Sequence, residues 1–598
     1  MFFYYKFSKL IIVMYKPNSL FMKCYITVFI ILFLFSCKND VENKNIETIE
    51  WEEFGEKLFE KAKAEDKFII LDLKANWCHW CHVMGDSTYA NPDVIAILSK
   101  SFLISKVDQD SNPELANRYR KYGWPATIIF NPDGEELVKR AGYINPRKFL
   151  VVLNNVKNGI IDTKNNKKDY SSYSPQKLLL SRYVKGLDYA KGGSRSTMKF
   201  IDYDNYEYAV LNSDLELNLW TNRTILGSYN LIDSEFGGIY QYSTHGDWLH
   251  QHYEKLLSRQ ARYIKVYCND FSLNKNSQSL KNALKIYDYT NKYLKGDGPL
   301  FYSAQNADLI EGVHSESYFN LTKKERLKLG IPKVDTNKYT TSNAEMIVSL
   351  VALWGTTNNS TYIDIAKENY NYLKATRKSK KGMYKHNEKM ETLYSVDDNI
   401  KMLNAMFVLN NATQDSVYLN DAYELITVLV NNYVQDDFFI KSYLGNNGLV
   451  NQPIMSENIE FVRTLNLASH LFNKKEFHTN SVNLFNSLLD KVLSGDIYNE
   501  IILLTIENEI KNEPLHAVIF YIDEDFRSKS IAAIMAYSLY YLKIEAYNIN
   551  NVPDNIQNSF GDITSNKVFF CTSTSCSAPF SRSIEVDNYL KELYLFKD

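Results

Sequence analysis

The 598-residue chain holds only seven cysteines, at 24, 37, 78, 81, 268, 571 and 576. That is too few for a fold stapled by disulfides. No second Cys-x-x-Cys lies at zinc-ribbon spacing from Cys78 and Cys81, so the other half of a common structural zinc site is missing. An excess of one charge sign is missing too. The net charge is −2, which gives no basic footprint for nucleic acid. The apolar run Ile26 to Phe35 is too short for a comfortable membrane span. The rest of the composition is that of a globular protein: 45% hydrophobic and 23% charged residues, with 44 tyrosines and 32 phenylalanines for large cores and aromatic-lined clefts. The length calls for about two to four domains.

What is present is concentrated in one stretch. Phe68-Ile69-Ile70-Leu71 is an apolar run of strand length. It leads through Asp72 to Trp77-Cys78-His79-Trp80-Cys81-His82, where a helical stretch begins. Cys78 is therefore expected at a strand-to-helix junction, where backbone N–H groups and the helix dipole stabilise a thiolate. On this reading Cys78 is the more exposed, lower-pKa nucleophile, aided by protonated His79 and His82. Cys81 is then the thiol that resolves the mixed disulfide. His79 and His82 are also metal-ligand types, so a metal site stays open as the alternative. Asp72 stands six residues before Cys78, where a carboxylate beneath Cys81 can accept its proton. Pro125 opens the apolar run Ala126 to Phe130. A proline there adds no N–H to a ladder, and a cis bond would turn the chain towards the thiols.

Together these residues resemble a thioredoxin domain over residues 51–155: Asp72, Trp77, Cys78, Cys81 and Pro125 match its buried acid, active-site tryptophan, cysteine pair and cis-proline. The doubled Trp-Cys-His-Trp-Cys-His form resembles more narrowly the family of spermatogenesis-associated, thioredoxin-like proteins, whose bacterial members are long two-part chains.

Taken in order, residues 1–37 read as a signal region. Lys23 supplies the positive start, and Leu34-Phe35-Ser36-Cys37 resembles a bacterial lipobox with Cys37 as the lipidated residue. An uncleaved anchor helix is the alternative, and Met14 or Met22 is a candidate start. Residues 38–46 are a tether, 47–156 the thioredoxin-like domain, and 157–172 a polar linker. The body is then expected outside the cytoplasm, held at a membrane of the cell envelope by its lipid. From 173 to 550 helical periodicity recurs at 206–230, 249–268, 276–294, 341–357, 360–375, 397–411, 416–434, 457–472, 475–493 and 529–546. Paired helices of this kind suggest a toroid of about six hairpins. Residues 551–598 hold the pair Cys571/Cys576. The expected architecture is an α/β thioredoxin-like domain, then an all-α (α/α)6 toroid, then a small αβ C-terminal segment.

The toroid region extends the resemblance. Gly237-Gly238-Ile239-Tyr240-Gln241-Tyr242-Ser243, His252-Tyr253-Glu254-Lys255-Leu256-Leu257, Phe301 to Asp308 and Cys571-x-x-x-x-Cys576-x-x-Pro579 look like further family segments. The resemblance implies a toroid similar to six-hairpin glycosidases and sugar epimerases. His252, Glu254, Lys255, Asp308, Asp397 and Asp398 are its candidate cleft residues. There are departures. Ser258-Arg259-Gln260 stands where the family usually carries Tyr-Asp-Asn, Gln251 replaces a proline, and Ser342-Asn343 replaces Trp-Asn. Asp397-Asp398-Asn399 keeps the acids but loses a tyrosine. Cys571 and Cys576 are candidates for a structural disulfide. Cys268 has no obvious partner and reads as a buried thiol. The favoured function is thiol–disulfide exchange with client protein thiols or disulfides or with a redox donor, using no cofactor and no metal. Carbohydrate processing or binding in the toroid, or a client-recruiting scaffold, is the alternative.

Overall fold

The computed structural model describes residues 49–160, 170–212, 214–389, 394–442, 448–449, 452–538, 540–561 and 563–595. Met1–Thr48 is a separate unit outside the described residues, and the signal region, Cys37 and the tether fall in it; most of the linker, residues 161–169, also lies outside the described residues. No helix among the described residues is long and apolar enough to cross a membrane.

The first part of the second unit is an α/β domain. Its elements are β1 (Trp51–Glu52), α1 (Glu56–Glu65), β2 (Phe68–Lys74), α2 (His79–Ser87), α3 (Pro92–Ser101), β3 (Phe102–Asp108), α4 (Pro113–Tyr119), β4 (Ala126–Phe130), β5 (Glu136–Ala141) and α5 (Pro146–Lys157). The sheet order is β1-β3-β2-β4-β5, with β1, β3 and β2 parallel and β4 and β5 antiparallel to their neighbours. Trp51 and Glu52 pair with Ile104 and Ser105 of β3. Three helices start the same way. Asn91, Asn112 and Asn145 cap the first turn with their side chains, and a proline follows at the first helical position. The cap satisfies N–H groups that have no helical partner, and proline has none to lose. β2 and β4 carry the core: Ile69, Ile70, Leu71, Leu73, Ile128, Ile129 and Phe130 are all buried.

The second part is the expected helical toroid. Its helices are α6 (Pro175–Gly186), α7 (Tyr203–Leu211), α8 (Leu215–Ser228), α9 (Leu257–Asn274), α10 (Ser277–Tyr293), α11 (Thr340–Thr357), α12 (Ser360–Arg377), α13 (Val396–Thr413), α14 (Ser416–Tyr433), α15 (Met455–Leu471), α16 (Lys475–Leu493) and α17 (Ile502–Lys511). α7, α9, α11, α13, α15 and α17 pack side by side as an inner ring, each backed by an outer helix. The ring closes between α7 and α9, where Tyr206 hydrogen-bonds Asn269.

A repeat invisible to helical periodicity holds the hairpins. The fourth residue of α9, α11, α13 and α15 is Gln260, Asn343, Asn399 or Asn458, each buried. Each amide accepts a backbone N–H from one loop residue (Ile239, Phe301, Tyr384 or Ile440) and donates to that residue's carbonyl. Each also donates to the residue just before its helix. The clamped residue is always one side of a β-bridge that closes the turn after an outer helix. Buried backbone groups need such partners. Gly237-Gly238 serves one of these turns: Gly238 has φ 76°, and a Cβ there would lie 2.4 Å from the Tyr289 ring.

Several expected helices are corrected. Residues 249–256 are not helical, because Gln251–His252 and Lys255–Leu256 form short strands (β7, β8) paired with Tyr242–Ser243 (β6) and Ala304–Gln305 (β9). The run 206–230 breaks where Asp214 caps a second helix. Residues 529–546 divide into α18 (Glu524–Met535) and a strand, Leu542–Asn548, parallel to Leu515–Tyr521. Lys567–Cys571 adds antiparallel to that sheet, so it draws in chain that the periodicity gives to the toroid. A short apolar run fits strand or helix until its partner is known.

Candidate active site

Cys78 caps α2: its Sγ accepts the Cys81 N–H at 3.2 Å, and its carbonyl accepts from Cys81 and His82. Cys78 and Cys81 are joined as a disulfide, Cα to Cα 5.3 Å. The expectation that Cys78 is the more exposed thiol is corrected. Cys78 is 4% and Cys81 7% exposed, because Leu256 and Ala304 of the toroid pack over them. Trp77 is buried as well, its indole N–H donating to Asp110 at 2.6 Å and its ring edge-on to Trp124. The Trp124–Pro125 bond is cis, and Pro125 is buried. Asp72 is buried in β2; burial pushes its carboxyl up to about 6, against the pull of Lys106 and Lys74.

The toroid grips the dithiol helix. His79 Nδ1 donates to Asp308 at 2.8 Å, and His82 Nδ1 lies 3.7 Å from the same carboxylate. Burial opposes the charge on Asp308, but the bond from His79, the nearby His82 and the Gly312 N–H hold the carboxyl below its ordinary range. Asp308 is thus assigned away from the toroid cleft and onto the thioredoxin-like domain. A second joint runs the other way. His386 of the toroid donates to the Asp110 carbonyl at 2.7 Å and is held from behind by buried Asp398 at 2.9 Å. Asp398 also takes the Thr341 N–H at the start of α11, so it braces the joint and does not face the cleft. Burial, with the charge of Asp108, pushes Asp110 up to about 8. Sequence reading had no signal for Asp110 or His386, which are 276 residues apart.

The hole of the toroid is a cavity of about 1230 Å³, and the thioredoxin-like domain lines one part of it with Trp77, Cys78, Trp80, Gly123 and Trp124. Cys78 is on this lining and Cys81 is not. Of the six cleft candidates, His252 and Glu254 line it. Burial, foremost, pushes Glu254 up to about 7, with the Asp308 charge adding and His79 opposing; its Oε2 has no hydrogen-bond partner among the described residues. His252 stacks on Tyr242 at 4.3 Å, and burial beside His79 and His314 pulls it down to about 4. Lys255 is corrected: it is buried behind the wall, 2.8 Å from Asp233, which also binds Arg326. Asp397 is half-buried at the start of α13 beside Lys401 and does not line the cavity. Asn343 and Gln260, which stand among the family departures, are the backbone clamps described above. Cys571 and Cys576 form a disulfide, Cα to Cα 4.0 Å, and Cys268 is a buried free thiol. Among the described residues no three His, Cys, Asp or Glu side chains gather as a metal site.

Comparison with known proteins places this geometry. Residues 40–178 match a family described as "Protein of unknown function, DUF255", Thioredox_DsbH. The chain is 23% identical to human "Spermatogenesis-associated protein 20" over 308 residues, 44% of this chain and 39% of that protein. It is 38% identical to "Thiol:disulfide interchange protein DsbD 2" of Pseudomonas aeruginosa over 94 residues, 15% of this chain and 16% of that protein. The chain thus spans less than half the length of the curated relatives it matches. Among solved structures, the cellobiose 2-epimerase of Bacillus thermoamylovorans aligns with a TM-score of 0.42 at 11% identity, over 52% of this chain and 84% of that one. The likeness to spermatogenesis-associated, thioredoxin-like proteins read from the motifs stands, with a thioredoxin-like domain followed by a helical toroid.

Proposed function

We propose that the chain is a thiol–disulfide oxidoreductase whose Cys78/Cys81 pair works on a substrate reached through the toroid. One observation carries this: of the two cysteines, only Cys78 lines the cavity. The Cys78 thiolate, stabilised at the start of α2, attacks one sulfur of a substrate disulfide and releases the other as a thiol. Cys81 then attacks Cys78 Sγ and frees the second thiol, so two electrons pass from the dithiol to the substrate. Asp72, with its raised pKa, is the acceptor for the Cys81 proton. With Cys81→Ala, mixed disulfides should accumulate through Cys78, and with Cys78→Ala none should. Failure of the reduced pair to form a disulfide in a glutathione titration would sink the reading. We place the protein in the cell envelope on a lipid at Cys37. Cys37→Ser should release it from the membrane fraction, and unchanged retention would point to an uncleaved anchor.

Glu254 favours a second reading, sugar chemistry in the cavity, because a carboxyl held near 7 suits a general acid. Glycoside hydrolysis needs a second carboxylate about 5–10 Å away. Of the other acids on the lining, Glu345 and Glu460 are tied to Arg262 and Lys401. Turnover on a glycan panel that Glu254→Gln abolishes would establish this reading over the first.

A further inference from the structure

We infer that the substrate of the Cys78/Cys81 pair is a small anionic disulfide, bound inside the toroid cavity and oriented by Arg259. The inference rests on the oxidoreductase reading above and narrows it to a substrate class.

Access comes first. Cys78 is only 4% exposed, and it is the cysteine of the pair that lines the cavity. Leu256 and Ala304 cover the pair, and Pro125 is buried. A folded domain of 100 residues has a radius of gyration of about 13 Å and cannot enter such a space. A cavity of about 1230 Å³ readily takes a molecule of metabolite size.

Charge comes second. Arg and Lys outnumber Asp and Glu on the lining, although the whole chain has a net charge of −2. Several of these cations are committed. Arg262 is bound to Glu345, Lys401 to Glu460, and Arg463 to Glu207 and Glu509. Arg259 has no carboxylate partner among the described residues, and its guanidinium lies 4.8 Å over the Phe200 ring. It is half-buried in the first turn of α9, five residues after Glu254. Burial and then the neighbouring Arg262 and Arg120 pull it down to about 10, which still leaves it charged at neutral pH. An uncommitted guanidinium in a partly dehydrated wall is a binding group for a carboxylate or phosphate. Asp202 acts on Arg259 through its charge but makes no ion pair with it, and Glu254, on the same lining as Cys78, is held by burial at about 7 and so is partly neutral at neutral pH.

The step balances without a cofactor. The reduced protein carries two thiols and the substrate one S–S bond. That bond breaks, the Cys78–Cys81 bond forms, and the two thiol protons end on the two product thiols.

The test uses the full chain, reduced and freed of reductant, and three disulfides of similar size: dithiodiglycolate (anionic), bis(2-hydroxyethyl) disulfide (neutral) and cystamine (cationic). Oxidation of the pair is followed by tryptophan fluorescence. Dithiodiglycolate should react fastest and cystamine slowest. Arg259→Gln should slow dithiodiglycolate by about tenfold or more and the neutral disulfide by less than about twofold, while Arg259→Lys restores the preference. Equal rates for the three compounds, equal losses in Arg259→Gln, or faster reduction of insulin than of dithiodiglycolate would overturn the inference. If the neutral disulfide oxidises the pair, the oxidoreductase reading survives that result. If none of the three does, that reading fails instead.

Discussion

The two large regions of this molecule use their motif residues in opposite ways. In the thioredoxin-like domain, Trp77, Cys78, Cys81 and Pro125 gather at one end of the sheet, as their motif implies. In the toroid, the residues that resemble a sugar site are mostly spent on construction. Lys255 sits in a buried ion network, Asp308 bonds His79 of the other domain, and Asp398 holds His386, which bonds Asp110 there. The toroid's wall carries Cys78 on its lining, and the lesson is that a matching motif gives position before it gives role.

The comparison can be broken at its joint. Asp308→Ala should have the largest effect, about 2–5 kcal/mol of lost stability in denaturant unfolding, because it leaves both the buried His79 ring and the Gly312 N–H without their acceptor. The milder Asp308→Asn should lower the Cys78 thiol pKa in an iodoacetamide pH profile, since it takes a carboxylate from beside α2. A thiol unchanged in both variants would show that the toroid holds the domain without tuning it.

Glu254 sharpens the cavity side. Its folded pKa of about 7 lies above the ordinary 4.5, so the folded state holds the extra proton between those values. Stability therefore falls as pH rises from about 4.5 to 7, and the cost is complete above pH 7. Glu254→Gln removes that cost. It should stabilise the protein at pH 8 by up to about 3 kcal/mol and by almost nothing at pH 4. A gain that does not vary between those pH values would mean another cause.

Asn343→Ala tests the clamps. It leaves the Phe301 N–H and carbonyl without their side-chain partner, at a cost of about 1–3 kcal/mol, and should leave Cys78 reactivity unchanged. A matching loss of Cys78 reactivity would tie the clamp to the site. The smallest effect is expected at the C-terminal pair. The Cys571→Ser/Cys576→Ser variant opens a loop only five residues apart in sequence and should cost at most about 2 kcal/mol, with turnover by the dithiol intact. Loss of turnover there would make the pair an electron relay.

The amino-acid sequence by itself determined the local units. The apolar run 68–71 and the cysteine spacing define strand, turn and helix, because strand burial and helix capping depend on near neighbours. Long periodic stretches such as 340–357 and 475–493 likewise declare themselves, since one apolar face of a helix is written every three or four residues. Tertiary structure alone decided the rest. Leu542–Asn548 became a strand because Leu515–Tyr521 offered it an edge. Cys78 became buried because Leu256 and Ala304 of the toroid close over it, and Asp308 met His79 across 229 residues. Arg259 faces a cavity that exists only once the ring has closed. Contacts at such separations leave no period in the chain, so burial, pairing and charge balance at the site arise only when the two domains are packed together.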